Sequence, residues 1–255
     1  MEFAEFLSAA VSEEAEVQST VPKKLKKLKE ENLSQFLVSL SEELSNENKS
    51  LKSRGLAGIV LKNSLEDWVN MKILIKNKIK QLLLDTLGSP NPEAGHTAAQ
   101  VIAKIASIDI PRNDWSNFIC TLCSNMSQQD KPILMQASLV SLAYVCEEIS
   151  HYPLTQNQVN IVLEAVVNVI NVSQESGVRL AAVTALYNTL NLARPNFEIE
   201  VDRIWIMGVV CEVAKDKDTH IKRKAFECLV SIASTYYDFL ECHISTLYVL
   251  TTKAF

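Results

Sequence analysis

The sequence predicts an all-α protein built from stacked helix pairs, and three observations carry that prediction. Five stretches look alike: Leu56-Ala-Gly-Ile-Val-Leu61, Ala98-Ala-Gln-Val-Ile-Ala-Lys-Ile-Ala106, Ala137-Ser-Leu-Val-Ser-Leu-Ala-Tyr-Val145, Arg179-Leu-Ala-Ala-Val-Thr-Ala-Leu186 and Lys224-Ala-Phe-Glu-Cys-Leu-Val-Ser-Ile-Ala233. Anchored on Ala57, Ala99, Ala137, Ala181 and Ala225, they recur after 42, 38, 44 and 44 residues by subtraction of positions. The hydrophobic fraction is 47%, with only 6 Gly and 7 Pro in 255 residues, which favours a long run of helices over a turn-rich β fold. A period of about 40–47 residues with helical patterning marks HEAT- or armadillo-type repeats. One such unit cannot bury its apolar face alone. It stacks on its neighbours and presents an extended surface, suited to binding rather than to pocket catalysis. The expected organisation is a HEAT-repeat α-α superhelix, about six repeats plus the start of a seventh, running as one array over residues 1–255.

Each element follows from local signals. Phe3, Phe6, Leu7 and Ala10 form a one-sided stripe, which predicts a helix over 2–11. Ser12 before Glu13 and Glu14 is a plausible N-cap for a second helix reaching about Lys29. Pro22 falls inside it and predicts a kink or break. The second repeat pairs Leu33–Leu44 with 49–65, and the third pairs Trp68–Leu87 with 93–108. Between the latter two helices, Gly88-Ser-Pro-Asn-Pro92 combines a C-terminal glycine with prolines placed to start a helix. Pro111 ends that unit. The fourth repeat pairs Trp115–Met126 with Ile133–Ile149, the fifth Asn157–Ile170 with Val178–Leu192, and the sixth Phe197–Ala214 with His220–Ser234. A seventh begins near Tyr236, giving about thirteen helices. The last residues are apolar with no stop signal, where a finished solenoid carries a polar cap, so the array is expected to be truncated at Phe255.

Composition removes several functions. No stretch reaches about 18 uninterrupted apolar residues, so no membrane span is expected. The acidic N-terminus, Met1-Glu-Phe-Ala-Glu-Phe6, lacks the basic flank of a signal peptide. A net charge of −5 argues against nucleic acid as the main partner, and the lysine-rich run Pro22–Lys29 reads as a solvated face with Leu25 and Leu28 turned inward. Cys120 and Cys123 form a Cys-x-x-Cys with no second pair, so buried free thiols are expected rather than zinc. The four histidines, at 96, 151, 220 and 243, fall in different repeats without metal-ligand spacing. No phosphate loop or nucleophile elbow is present, and neither enzyme activity nor a cofactor is expected.

An ordered set of segments carries a resemblance. Glu31-Asn-Leu-Ser-Gln-Phe-Leu-Val-Ser-Leu40, Leu61-Lys-Asn-Ser-Leu65, Ile110-Pro111 with Trp115, Tyr144-Val-Cys-Glu-Glu-Ile149, Val178-Arg-Leu-Ala-Ala182, Ile206-Met-Gly-Val-Val-Cys-Glu212 and Tyr236-Tyr237 occur in sequence along nearly the whole chain. In order and spacing the set resembles the amino-terminal region of the importin-β family of nuclear import receptors. The resemblance implies a right-handed superhelix of alternating outer and inner helices, and two binding surfaces. The first engages the GTP-bound GTPase Ran through inner helices, with Lys62 and Asn63 as contacts and Gln100 as a further candidate. A lysine and amides supply the directed donors a polar protein interface uses.

The second implied surface takes Phe-Gly repeats of nucleoporins between the outer helices of repeats five and six. Leu163, Val167, Asp202, Trp205 and Ile206 are the positions that line up. Burying one phenylalanine ring is worth about 1.5–3 kcal/mol, enough for weak contacts strengthened by multivalency. Trp205 stands where the family pattern has phenylalanine, Glu164 replaces a smaller residue, and Pro22 interrupts an expected continuous helix. Importin-α adaptor and cargo would bind only through repeats beyond Phe255. The implied location is cytoplasm and nucleus, and the nuclear envelope at pores. The alternative is a HEAT scaffold of another kind, such as another karyopherin or a phosphatase regulatory subunit.

Overall fold

A computed structural model describes residues 15–149 and 154–253. The helix expected over 2–11, the Ser12 cap and His151 lie outside those residues. Thirteen α-helices and no strand occur among the described residues. The chain divides into two compact units, one ending at Asp114 and the other starting at Trp115.

The first unit contains α1 (Ala15–Glu31), α2 (Leu33–Ser45), α3 (Leu51–Lys62), α4 (Ile73–Thr86) and α5 (Pro92–Asp109). Helix α1 passes through Pro22 without the expected break. A proline costs one backbone bond and crowds the preceding turn, and a helix of 17 residues absorbs that loss. Like stacks on like here: outer α2 packs on outer α4, inner α3 on inner α5, and each outer helix on its own inner partner. Asn32, Ser50 and Asn91 cap α2, α3 and α5 by accepting from free N–H groups in the first turn. Pro92 opens α5 as expected, at a position whose N–H needs no partner.

Two boundaries differ from the sequence reading. Helix α3 ends at Lys62 rather than Leu65, with Asn63 as its C-cap. Trp68 sits in a 3-10 turn, Trp68–Asn70, and α4 starts only at Ile73. The cause is nonlocal: the fully buried Trp68 indole donates to Asp109 Oδ1 at 2.9 Å, from the far end of α5. Gly88 follows α4 as expected but does not take a positive φ, a conformation found among the described residues only at Asn113, with φ 58°. There the chain turns after Pro111, and the Asp114 N–H reaches back to the Asp109 carbonyl at 2.9 Å. Asparagine is one of the few residues that tolerates this backbone.

Beneath that turn lies a buried charge cluster. Lys80 Nζ is 2.7 Å from Asp109 Oδ2, with both side chains buried, and it also donates to the Asp114 carbonyl at 2.9 Å. Lys76, equally buried, donates to the Val69 carbonyl and lies 5.8 Å from the centre of the Trp68 ring. Arg54 is enclosed too, bonded to the Leu44 carbonyl, to both Glu47 oxygens and to Ser89. The Arg54 guanidinium holds the Glu47 carboxyl below its usual range.

The second unit contains α6 (Phe118–Met126), α7 (Pro132–Glu148), α8 (Gln156–Val172), α9 (Ser176–Leu190), α10 (Arg194–Glu198), α11 (Glu200–Val213), α12 (Thr219–Thr235) and α13 (Ile244–Lys253). Inner helices α7, α9 and α12 pack in succession, and outer α6 packs on outer α8. Helix α6 begins three residues after Trp115, which stays in the core against Phe118 at a ring separation of 4.4 Å. The helix expected over 197–214 is two helices, because Ile199 is extended between α10 and α11. Pro195 starts the short α10, whose Phe197 is fully buried and stacks on Tyr236 at 4.1 Å. Two 3-10 turns, Tyr237–Phe239 and Glu241–His243, delay the helix expected near Tyr236 until Ile244. Thr155 with Gln158 closes a capping box on α8, and Asp218 caps α12.

Candidate partner-binding surfaces

Lys62 and Gln100 project from adjacent inner helices α3 and α5 and meet, with Nζ donating to Gln100 Oε1 at 3.4 Å. Gln100 Nε2 lies 3.1 Å from His96 Nε2, one turn earlier on α5. Asn63 is exposed at the end of α3. The three residues named for the first surface therefore come from two helices that pack together, with His96 joining them.

Close approach of α3 and α5 depends on Gly58. A Cβ at that position would stand 2.2 Å from Thr97 Cγ2 and 3.3 Å from Leu44 Cδ2. Half-buried Lys62 lies four residues later on the same helix, so the lack of a side chain at Gly58 sets how near it comes to Gln100.

At the second surface, α8 and α11 do not pack against one another as α6 and α8 do. Leu163 and Val167 on α8 are 1% and 3% exposed, and Ile206 on α11 is fully buried. Trp205 is 39% exposed, with Ile204 and Val201 beside it more exposed still. Asp202 is half-buried and Glu164 is exposed. Of the positions named for this surface, Trp205 and Asp202 are thus the accessible ones, and Leu163, Val167 and Ile206 are buried.

Four side chains join α8, α10 and α11. Asn196 on α10 donates through Nδ2 to Asn160 Oδ1 on α8 and to Asp202 Oδ2 on α11, both at 2.9 Å. Its Oδ1 accepts from Gln156 Nε2 at 2.9 Å, and Gln156 also donates to Asn160. Of this set only Asp202 was singled out from the sequence. A proline at the start of a short helix, Arg194-Pro195-Asn196, was the available local signal.

The cysteines differ in part from expectation. Cys146, Cys211 and Cys228 are buried, but Cys120 and Cys242 are exposed and Cys123 is half-buried. Burial pushes the Cys123 thiol up to about 11, with the neighbouring Cys120 adding to it, and pushes Cys146 to about 11 and Cys228 to about 12. At neutral pH those three stay protonated, the inert form. Among the described residues no three His, Cys, Asp or Glu side chains are placed to hold a metal ion, and no helix is long and apolar enough to cross a membrane.

Paired helices whose inner and outer members stack in succession define a helical-repeat protein. Residues 21–89 match the family model described as "Importin-beta N-terminal domain", and 90–250 match "IPO5-like, TPR repeats". The chain belongs to the importin-β family. It is 40% identical to importin subunit beta-1 of Arabidopsis thaliana over 267 aligned positions, covering 100% of this chain and 31% of that protein. The corresponding protein of Saccharomyces cerevisiae is 33% identical, across 98% of this chain and 31% of its own length. The chain thus spans under a third of these relatives. Among solved structures, Kap95p bound to RanGDP gives a TM-score of 0.90 at 32% identity, covering 98% of this chain and 31% of that one. A complex of Kap95 with Nup1 gives 0.89 at 31% identity, with the same two coverages. The family assignment sets aside a phosphatase regulatory subunit.

Proposed function

We propose that this chain is the amino-terminal part of a nuclear import receptor. It binds Ran·GTP through Lys62, Asn63 and Gln100, and Phe-Gly repeats of nucleoporins at Leu163, Val167, Asp202, Trp205 and Ile206. It acts as a non-catalytic binding module without a cofactor, in cytoplasm and nucleus and at nuclear pores, and its repeats form one array. Importin-α adaptor and cargo are engaged by repeats outside this chain. Support comes from the solved relatives, one bound to Ran and one to Nup1, and from the meeting of Lys62 with Gln100 on packed inner helices.

The observation that carries the Phe-Gly reading is Trp205, a large aromatic side chain left 39% exposed on outer helix α11. A flat ring offers apolar contact at low entropy cost. Titration with a Phe-Gly peptide should give weak binding, and Trp205→Ala should reduce it about 5–30-fold while circular dichroism stays the same. Unchanged affinity would remove Trp205 from the groove.

For the first surface, Lys62→Glu should weaken binding of Ran loaded with a non-hydrolysable GTP analogue by about tenfold, since charge reversal at an interface both removes a donor and adds repulsion. The check is calorimetry with wild type and variant at one salt concentration. Equal binding of the two proteins excludes Lys62 as a contact.

A further inference from the structure

The backbones of α8 and α11 approach one another less closely than those of α6 and α8. Each rests on an inner helix, α8 on α9 and α11 on α12, and polar side chains join the two. The only polar side chain of α10 that is almost wholly enclosed, Asn196 at 3% exposure, stands between the first turns of the two helices. Both of its amide hydrogens and its carbonyl oxygen are used, by Asn160, Asp202 and Gln156. The direction of the amide is settled chemically, because the Asp202 carboxylate only accepts and so must face Nδ2. The base of this side chain is rigid: the adjacent Phe197 is stacked on Tyr236, and its carbonyl accepts from Arg203 Nη1 at 2.5 Å. Three bonds to one enclosed group thus tie the starts of α8 and α11 to a fixed point. Leu163 and Val167 lie one and two turns beyond Asn160, and Trp205 and Ile206 one turn beyond Asp202.

We infer that Asn196 is the positioning residue of the Phe-Gly groove: it sets the separation of α8 and α11 and aims the Asp202 carboxylate. The inference rests on the groove being where Phe-Gly segments bind. It touches no ligand itself, and acts through the two helices it spaces.

The test is an exchange of donor and acceptor. Asn196→Asp keeps the size of the side chain but sets oxygen against the Asp202 carboxylate, whereas the Asn160 amide can rotate to donate to the new oxygen. Adding Asp202→Asn returns a donor to the Asp202 side of the contact. Affinity for a Phe-Gly peptide is measured for wild type, N196D, D202N and the double variant, at a temperature where circular dichroism shows each folded. N196D should bind at least tenfold more weakly than wild type, whereas the double variant should match D202N within about threefold. A merely structural residue would show the same loss in both backgrounds, and that outcome, or no loss in either, overturns the inference. Amide exchange of residues 156–163 and 199–206 is followed in the same proteins without peptide. It should accelerate at least tenfold in N196D and return in the double variant; exchange that stays at the wild-type rate in N196D also overturns the clamp. Wild type that fails to retain the peptide refutes the binding reading instead, and the exchange data then decide the clamp alone.

Discussion

Asp109→Ala should destabilise the first unit by about 3–5 kcal/mol, the range seen when one partner of a buried ion pair is removed. Asp109 is fully buried, accepts from the Trp68 indole, and lies 2.7 Å from Lys80 Nζ. Truncation leaves an enclosed ammonium without its carboxylate and an indole N–H without its acceptor, and both costs are large in a medium that excludes water. The midpoint in urea should fall with little change in slope. Asp109→Asn should cost less, because an amide oxygen can still accept from Trp68. Lys80→Met combined with Asp109→Leu should be milder than Asp109→Ala, since no lone charge remains. A loss under about 1 kcal/mol for Asp109→Ala would mean that water or a rearranged lysine replaces the carboxylate.

Gly58→Ala should cost about 1–3 kcal/mol through overpacking. The added carbon would sit 2.2 Å from Thr97 Cγ2, so either Thr97 moves or α3 lifts from α5. Thr97 is not free to turn without cost, since its hydroxyl donates to the Glu93 carbonyl at 2.9 Å. Thr97→Ser deletes the clashing methyl and keeps that bond. The double variant Gly58→Ala with Thr97→Ser should therefore recover most of the stability. Affinity for Ran·GTP should fall in the single variant and return in the double, because lifting α3 carries Lys62 away from Gln100. Thermal melts together with a binding titration check both halves. Stability restored without affinity would separate the packing from the interface.

The repeat was legible because small alanines at a regular period mark where inner helices press together. Helix pairs follow from that spacing, and the structure bears out those within the described residues. Boundaries failed where a distant side chain decides them. Trp68 has the look of a helix start, yet its bond to Asp109, 41 residues on, holds it in a separate turn. Ile199 has no breaking signal of its own; the break follows from a short helix fixed on both sides, at Asn196 and at Phe197. Candidate contacts came from the resemblance rather than from pattern. Periodicity alone could not distinguish Lys62 from any solvated helix end. The Asn196 cluster was invisible for a related reason: asparagine and glutamine near helix starts read as ordinary capping or loop residues. Only their convergence from three helices shows that they are used together.

The second unit is built unevenly across its thickness. Its inner helices α7, α9 and α12 pack in succession, whereas the starts of α8 and α11 are tied by polar contacts through Asn196. In mechanical terms, a polar tie of this kind is a soft joint, because water can replace its hydrogen bonds. Loosening that tie would exchange the Asn196 hydrogen bonds for bonds to water.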